Sequence, residues 1–237
     1  MEPISLADMD SHALMNRVDT KYVLGIAHLP ELLESVGYSY RVLCVESVRL
    51  SPYSTLYFDT PDHECYRQHH NGKLNRLKFR IRQYQSSGAC FLEVKAKNNK
   101  GRTKKQRIAI DRFEESLSAS SRGFIEAVTG YFPELIPQLW SSFSRITLVN
   151  RNQPERVTLD LDLAFSDGDT RRSLPNIIIA EVKQELDERR SPMRQHLHRL
   201  HILQMRVSKY CLGMILLKPH LKCNLFKAKL HAIRKIA

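Results

Sequence analysis

Lys and Arg alternate with apolar residues along one segment of this 237-residue sequence, 74–84. Its basic positions, each two residues from the next, are Arg76, Lys78, Arg80 and Arg82. Because successive side chains on a β-strand point to opposite faces, a strand here would have one cationic face and one apolar face. A face with this density of Lys and Arg is suited to binding anions, and phosphate groups above all.

Four further segments repeat this alternation, with carboxylates mixed among the cations. Their polar faces carry Glu93, Lys95 and Lys97, then Thr103, Lys105 and Arg107, then Arg156, Thr158, Asp160 and Asp162, and finally Glu181 and Lys183. For any single strand, a polar face turned to water explains the pattern. Five strands of the same design favour a closed barrel whose cationic faces point inward. Because like charges across a sheet repel each other, such a barrel would need an anion to fill it.

Glu181 and Glu93 are the candidate metal ligands. A phosphate chain in such a barrel needs a divalent cation to bridge its oxygens, and hard cations prefer carboxylate oxygen. The alternative for each is an ion pair with the lysine two residues further on, Lys183 or Lys95. The sequence has neither a GxxxxGK[ST] nor a GxGxxG motif, so side chains rather than a helix terminus would have to bind phosphate.

Short strands and a few helices are predicted to position these side chains. The predicted strands are 53–58, 74–84, 89–97, 103–111, 142–150, 156–165 and 176–184. The predicted helices are 27–36, 114–129 and 187–203, and 209–217 fits either a helix or a strand. Turn residues between 84 and 103 make the second, third and fourth strands an antiparallel meander, so the fold class is α+β.

Composition narrows the functional classes. The formal net charge is +12 and the pI about 9.6, which favours anionic partners such as nucleic acid, acidic lipid or polyphosphorylated molecules. Five widely spaced cysteines without a CxxC pair argue against a zinc site. No apolar run approaches the roughly 18 residues of a membrane span, and no signal-peptide pattern opens the sequence. We expect a cytoplasmic protein with free thiols.

The histidine groups and the basic C-terminal stretch are interpreted as structural features. Histidines recur in two groups, which are His63, His69 and His70, and His196, His198 and His201. We interpret them as exposed or structural rather than as metal ligands. The basic stretch 218–237 has apolar residues at the spacing of an amphipathic helix. Docking on the domain, or fraying, is favoured there over lying on an anionic membrane.

Eight short motifs follow one another between residues 17 and 210. They are 17–23 (RVDTKYV), 56–59 (LYFD), 77–84 (LKFRIRQY), 91–95 (FLEVK), 105–107 (KQR), 156–160 (RVTLD), 180–183 (AEVK) and 206–210 (RVSKY). In this order they resemble the motifs of the VTC domain, the polyphosphate polymerase domain of vacuolar transporter chaperone complexes. That domain is grouped with the triphosphate tunnel metalloenzymes, alongside the CYTH enzymes.

Two departures from the family patterns are visible. Arg206 stands where the VTC motif usually has Lys, which keeps the charge and changes the hydrogen-bond geometry. Glu93 and Lys95 keep only part of the E-x-E-x-K signature of CYTH enzymes, which favours the VTC branch over cyclases and thiamine triphosphatases.

The resemblance implies an eight-stranded antiparallel β-barrel, the triphosphate tunnel fold, with flanking helices. We expect it to occupy residues 1–217, followed by a basic tail at 218–237. The implied catalytic residues are Lys21, Arg80, Arg82, Lys95, Arg156 and Lys209. The implied substrate-binding residues are Arg17, Lys105, Arg107, Lys183, Arg206 and Ser208. Mn²⁺ or Mg²⁺ would be held by Glu181 and Glu93.

The activity implied is metal-dependent polyphosphate synthesis, with the γ-phosphoryl group of ATP passing to a growing chain. An inorganic triphosphatase or nucleotide phosphohydrolase of the same fold is the first alternative, and a non-catalytic binder of polyphosphate or nucleic acid is the second. ATP and inorganic polyphosphate are the expected partners, nucleic acid is not favoured, and a separate membrane protein is left open. Membrane association would then run through that partner or the basic tail.

Overall fold

The computed structural model describes residues 1–10, 17–100, 102–185 and 191–236, which form one curled sheet, antiparallel except where β1 pairs with β3, with helices on both sides. The strands are β1 (Pro3–Ile4), β2 (Arg17–Gly25), β3 (Tyr40–Leu43), β4 (Ser51–Asp59), β5 (Arg76–Tyr84), β6 (Cys90–Lys97), β7 (Thr103–Ile110), β8 (Ile136–Asn150), β9 (Glu155–Ser166), β10 (Arg171–Leu174) and β11 (Ile177–Glu185). The helices are α1 (Leu6–Asp10), α2 (Leu29–Val36), α3 (Glu64–His70), α4 (Ala119–Thr129), α5 (Pro192–Arg199), α6 (Lys209–Leu217) and α7 (Lys227–Ile236).

Eight strands form the main path of the sheet, in the order β2-β11-β9-β8-β4-β5-β6-β7. Every pair along this path is antiparallel. The sheet curls into a half-barrel, so it has a concave and a convex face. The expected fold class, an α+β fold with eight antiparallel strands of the triphosphate tunnel type and flanking helices, is confirmed, and the expected β-barrel is observed as a half-barrel.

The convex face is apolar and is covered by helices. On the half formed by β2, β11 and β9, buried residues such as Leu159 and Val182 pack with Leu32 of α2 and Leu197 of α5. On the other half, α4 contributes Ile125 to a second cluster over β4, β5 and β6. Alternation along each strand therefore leaves the other, polar set of side chains for the concave face.

Helix α6 packs against part of the concave face. Its apolar sequence is buried nearly all round, as expected of a helix enclosed by other elements. Gly213 allows this close approach, because a Cβ there would lie 2.6 Å from the Phe165 ring of β9. The N-terminal end of α6, by contrast, begins among polar residues of the concave face.

The segment before α6 runs along the free edge of β2. The Met205 amide donates to the Lys21 carbonyl at 2.8 Å, and Gln204 forms a bridge with Tyr22. At its other end, the Ser208 hydroxyl accepts a 2.8 Å hydrogen bond from Lys78 of β5. Since β2 and β7 do not pair with each other among the described strands, this segment links the two sides of the curl.

Most predicted elements are present, with shifted ends. The predicted helix 114–129 begins only at Ala119, because Ser118 adopts an extended conformation and caps the helix by accepting from the Ser121 amide. It ends at Gly130, whose φ of 81° suits a residue without a Cβ. The segment 209–217 is a helix.

The predicted helix 187–203 was too long. The observed helix is Pro192–Arg199, and its C-terminal side ends where His201 adopts a φ of 56°. Residues 187–190 of the prediction lie outside the described residues.

Asp162 corrects a prediction about strand faces. The alternation placed it beside Asp160, but it is exposed with a φ of 52°. The pairing register between β8 and β9 shifts at this point, between Ser142 and Ser144. A β-bulge of this kind inserts one extra residue and breaks the alternation of side chains beyond it.

Candidate functional site

Cationic side chains from six strands and from α6 converge on the polar part of the concave face. They belong to Lys21, Lys78, Arg80, Arg82, Lys95, Lys105, Arg145, Lys183 and Lys209. We call this set the cationic cluster. Three carboxylates, Glu93, Asp160 and Glu181, lie among these residues and organise them by ion pairs.

Glu93 of β6 is fully buried between two cations. Its Oε2 accepts a 2.6 Å hydrogen bond from Nε of Arg80, and its Oε1 lies 2.9 Å from Nζ of Lys105. Burial alone would raise the pKa of Glu93, but the charges of Arg80, Arg82 and Lys105 lower it below its usual range. Glu93 is therefore ionised at neutral pH and fixes the neighbouring cations on β5 and β7.

Asp160 of β9 joins the sheet to α6. Nε of Arg145 donates to its Oδ1 at 2.5 Å and Nη2 donates to its Oδ2 at 2.9 Å, while Lys209 forms an ion pair with the same Oδ2. Burial would raise the pKa of Asp160, and the charges of Arg145 and Lys209 lower it instead. This two-pronged contact fixes the plane of the Arg145 guanidinium.

Glu181 of β11 lies between two lysines. Its Oε2 is 2.6 Å from Nζ of Lys183, and its Oε1 is 3.4 Å from Nζ of Lys21 on the neighbouring strand. Burial opposes ionisation, but the charges of Lys183 and Lys21 hold the pKa of Glu181 well below its usual value. The Glu181 side chain is 19% exposed, whereas that of Glu93 is inaccessible to solvent.

Arg82 is buried and sits over two aromatic rings. Its guanidinium carbon is 5.5 Å from the Tyr53 ring centroid and 5.7 Å from that of Phe143, and its Nε donates to the Thr55 hydroxyl at 3.3 Å. Burial, followed by the charges of Arg80 and Arg145, lowers its pKa. These rings confine a cation whose neighbours would otherwise repel it.

Lys95 and Lys78 face each other across β5 and β6, and neither forms an ion pair within the described part of the chain. The Arg80 charge and then burial lower the pKa of Lys95 well below its ordinary value. Burial is the main cause of the lowered pKa of Lys78. Two uncompensated ammonium groups at the centre of the concave face favour a bound anion between them.

The start of α6 is fixed in this site by its cap and by a buried anchor. Ser208 is the N-cap and accepts from the Cys211 amide at 3.4 Å. Two residues further on, the Tyr210 hydroxyl donates to buried Asp59, which also accepts from the amides of Cys65 and Tyr66 at the start of α3. Lys209 thus projects from a rigid helix end, and burial lowers its pKa to about 8 against the opposing charge of Asp160.

The structure brings together most of the residues predicted from sequence. The predicted residues that belong to the cationic cluster or contact it are Lys21, Arg80, Arg82, Lys95, Lys105, Lys183, Lys209 and Ser208, with Glu93 and Glu181. The ion-pair alternative for Glu181 with Lys183 is observed. Glu93 pairs with Arg80 and Lys105 rather than with Lys95.

Four predicted residues lie at the margin. Arg17 pairs with Asp19 at 3.0 Å on the exposed end of β2, and Arg107 lies with its guanidinium carbon 4.6 Å from the Phe91 ring centroid. Arg156 donates to the Met9 carbonyl at 3.1 Å, at the far end of β9. Arg206 is exposed in the segment that precedes α6.

Arg145 is the main residue that the sequence interpretation missed. It lies on the predicted strand 142–150, but its neighbours on the same face are Phe143 and Thr147, so the strand lacks the basic alternation used to find the others. The one signal for Arg145 was its position directly opposite Asp160 when the strands on either side of the 151–154 turn are paired. Lys78 was recognised as part of a cationic face but was not assigned to the site.

The carboxylates differ in how well they fit a divalent metal. Within the described ranges, no three His, Cys, Asp or Glu side chains lie close enough to hold one by themselves. Mg²⁺ and Mn²⁺ at phosphate sites need only one or two carboxylates, with phosphate and water oxygens completing the shell. Partly exposed Glu181 fits that mode, since its longer contact, with Lys21, can open. Glu93 fits less well, because both its oxygens are engaged and inaccessible.

None of the described histidines belongs to a group of three or more side chains that could hold a metal ion. His69 is half-buried, and burial followed by the charges of Lys78 and Arg76 lowers its pKa to about 2. His70 accepts from the Leu225 amide at 3.3 Å and so contacts the segment leading to α7. The tail is docked, since Ile233 of α7 is buried in the same cluster as α6. None of the described helices has the length and apolar character needed to cross a membrane.

Comparisons with known proteins agree with this geometry. A family model described as VTC domain matches residues 16–218. A candidate adenylate cyclase from Vibrio parahaemolyticus has a similar structure, with a TM-score of 0.51 and 16% identity, over 84% of this chain and 99% of that one. A candidate adenylyl cyclase from Hippeastrum, described as having a dominant triphosphatase activity, aligns with a TM-score of 0.50 and 16% identity, over 86% and 97%. No protein of curated function matches the sequence.

Proposed function

The chain belongs to the VTC domain family, and from that premise we propose that it is a metal-dependent polyphosphate polymerase. It would transfer the γ-phosphoryl group of ATP to a growing polyphosphate chain on its concave face. Family and fold together support an activity on triphosphate or polyphosphate. The observation that carries the proposal is the convergence of the cationic cluster, in which cations outnumber carboxylates on a concave face.

Phosphoryl transfer requires positioning and charge stabilisation more than a covalent nucleophile. We propose that Arg80, Arg82 and Lys95 neutralise the phosphates from β5 and β6. Arg145 and Lys209 would bind from the opposite side, since Asp160 orients both of them. The role of Glu93 in this proposal is to fix Arg80 and Lys105 rather than to hold metal directly.

A terminal phosphate oxygen of the growing chain would attack the γ-phosphorus. The new P–O bond forms as the bond to the β–γ bridging oxygen breaks, and ADP leaves with the electron pair of that bond. Lys21 lies beside Glu181 at 3.4 Å and would stabilise the negative charge near the transferred group. A divalent cation held by Glu181, Mn²⁺ or Mg²⁺, would supply charge neutralisation along the phosphates.

The remaining predicted residues have supporting roles in this proposal. Lys183 and Ser208 line the site directly, and Arg17, Arg107, Arg156 and Arg206 would act at its margins on the outer phosphates. We further propose that residues 1–217 form the catalytic domain and 218–237 a docked tail. ATP and polyphosphate are the proposed partners. A cytoplasmic location, with a membrane protein or the tail mediating any membrane association, accords with five unpaired cysteines.

Triphosphate hydrolysis is the second candidate. In this reaction water, rather than a polyphosphate chain, would attack the triphosphate in the same site. The support for it is the triphosphatase activity described for the Hippeastrum protein of similar structure. Because the two proteins share only 16% identity, their similarity supports a common fold and not a common reaction.

One experiment separates the two candidates. Purified protein is incubated with ATP and Mn²⁺, and polyphosphate and free phosphate are measured in the same samples. Polyphosphate accumulating in step with ADP supports the polymerase. Free phosphate in step with ADP, without polyphosphate, supports the triphosphatase and rejects the polymerase. Glu181→Ala is the inactive reference, because it removes the proposed metal ligand.

A further inference from the structure

A second group of cations lies beyond the cationic cluster, at the ends of β5 and β6. Arg76 and Lys97 face each other in the strand register, one row outside the Lys78–Lys95 pair. Arg206 lies two residues before Ser208, whose hydroxyl accepts a 2.8 Å hydrogen bond from Lys78 of the neighbouring row. Burial and then the charges of Arg76 and Arg206 lower the pKa of Lys97, which agrees with this placement. We call Arg76, Lys97 and Arg206 the rim cluster.

The rim cluster resembles Lys78 and Lys95 in having no carboxylate partner among the described residues, and differs in this from most of the inner cations. Arg80, Arg145 and Lys183 each form an ion pair with a buried or partly buried carboxylate. Across the described residues, no ion pair involves the three members of the rim cluster, and the Arg76 guanidinium donates to the Lys73 carbonyl at 2.6 Å. Like charges on facing strands destabilise a sheet unless an anion lies between them.

The rim cluster continues the inner site without a break. Its first row lies two residues along the strands from Lys78 and Lys95, a separation of about 7 Å. Arg206 and Ser208 belong to the same short segment, and Ser208 contacts Lys78 at 2.8 Å. An anion that reaches from Lys95 past Lys78 therefore meets the rim cluster next.

We propose that the rim cluster binds phosphate groups of a linear polyphosphate that extend beyond the triphosphate held by the cationic cluster. This inference rests on the proposed function and deepens it, because it assigns a separate site for a chain longer than three phosphates. A nucleoside triphosphate or tripolyphosphate would be accommodated by the inner cations alone. The rim cluster would retain the chain between successive transfers.

A nucleic acid fits this surface less well. Sequence-tolerant binding of single strands uses exposed aromatic rings on which bases stack. Arg206 lines a pocket whose aromatic side chains are His69 and Phe226, and these two rings pack against each other with centroids 6.1 Å apart. The surface thus offers charge without a free stacking platform, which suits polyphosphate.

The test compares ligands of different length on charge-neutralised variants. Arg76→Gln with Lys97→Gln is the test variant, and Arg171→Gln with Arg172→Gln, on exposed β10, is the matched control. Calorimetric titrations use tripolyphosphate, long-chain polyphosphate and a single-stranded oligonucleotide. Neither Arg76 nor Lys97 belongs to the proposed catalytic set, and the single variants serve if the double variant fails to fold.

We expect the test variant to lose about tenfold affinity for the long chain while tripolyphosphate affinity stays within about twofold. The control should change neither. Equal losses for both phosphates, no loss for either, or a loss confined to the oligonucleotide would overturn the proposal. Because the readout is binding, a chain-length-dependent loss would stand even if ATP yielded no polyphosphate, which would reject only the polymerase.

Discussion

Arg145 and Asp160 lie directly opposite each other on β8 and β9 and are joined by two parallel hydrogen bonds of 2.5 and 2.9 Å. The same carboxylate forms an ion pair with Lys209 at the start of α6. One buried aspartate therefore sets the position of a strand guanidinium and a helix ammonium. The site is built from two elements that are 49 residues apart at this contact.

Arg145→Lys tests whether the shape of the guanidinium matters. Lysine keeps the charge but cannot form both hydrogen bonds to Asp160, so the remaining cation loses its fixed direction. We expect kcat/KM for ATP to fall about 10- to 100-fold, the loss of one good charged hydrogen bond. Arg151→Lys, whose partner Glu2 is exposed, is the control and should stay near wild type. Kinetics of Arg145→Lys within twofold of wild type would reject the role of Arg145.

Glu181→Gln tests the metal site. The amide keeps the size of the side chain but removes the negative charge that a divalent cation requires. We expect turnover that depends on Mn²⁺ to be lost, measured as product formed across a metal titration. Glu185→Gln, at the exposed end of the same strand, should respond to metal as wild type does. Full metal-dependent turnover in Glu181→Gln would show that Glu181 does not hold the ion.

Glu93→Gln tests the buried ion-pair network. Removing one partner leaves Arg80 and Lys105 uncompensated, and we expect the free energy of unfolding to fall by about 3 kcal/mol in urea titrations. Because the folded-state pKa of Glu93 is lowered, its contribution is fully present above its ordinary pKa of 4.5. The difference from wild type should shrink as the pH falls below that value. Glu126→Gln, exposed on α4, is the control, and an equal effect there would contradict the account.

Lys209→Arg tests the protonation of the helix-end ammonium. The pKa of Lys209 is lowered by burial to about 8, so the fraction of charged side chain falls as the pH rises through that value. We expect kcat/KM for ATP to decline above pH about 8 in the wild type, because this constant reports groups of the free enzyme. Arginine stays charged, so the variant should move the decline to higher pH. Lys104→Arg, exposed on β7, should not move it, and an unmoved decline in Lys209→Arg would assign it to another group.

The alternation of apolar and polar residues was sufficient to predict the concave cationic face. It correctly placed Arg80, Arg82 and Lys95 on one side, because each lies on a regular strand paired on both edges. It failed at Asp162, where a β-bulge changes the register, because the extra residue leaves no mark in the hydrophobic pattern. Register irregularities arise from packing between strands that are distant in sequence.

Long-range partners were the least predictable feature of the site. Glu93 was expected to pair with Lys95 or with metal, but its partners are Arg80 and Lys105 on the flanking strands. Nothing local to Tyr210 indicated that its hydroxyl would bond to Asp59, 151 residues away. Motif order predicted the family and the strand contents, whereas these contacts depend on how the sheet curls around α6.

The most direct test is a crystal structure of the protein with a non-hydrolysable ATP analogue and Mn²⁺. We expect the triphosphate to lie on the concave face, with its oxygens within hydrogen-bond distance of Arg80, Arg82 and Arg145, and with the metal bound to Glu181. A triphosphate bound on the convex face, or one that contacts none of these side chains, would contradict this expectation.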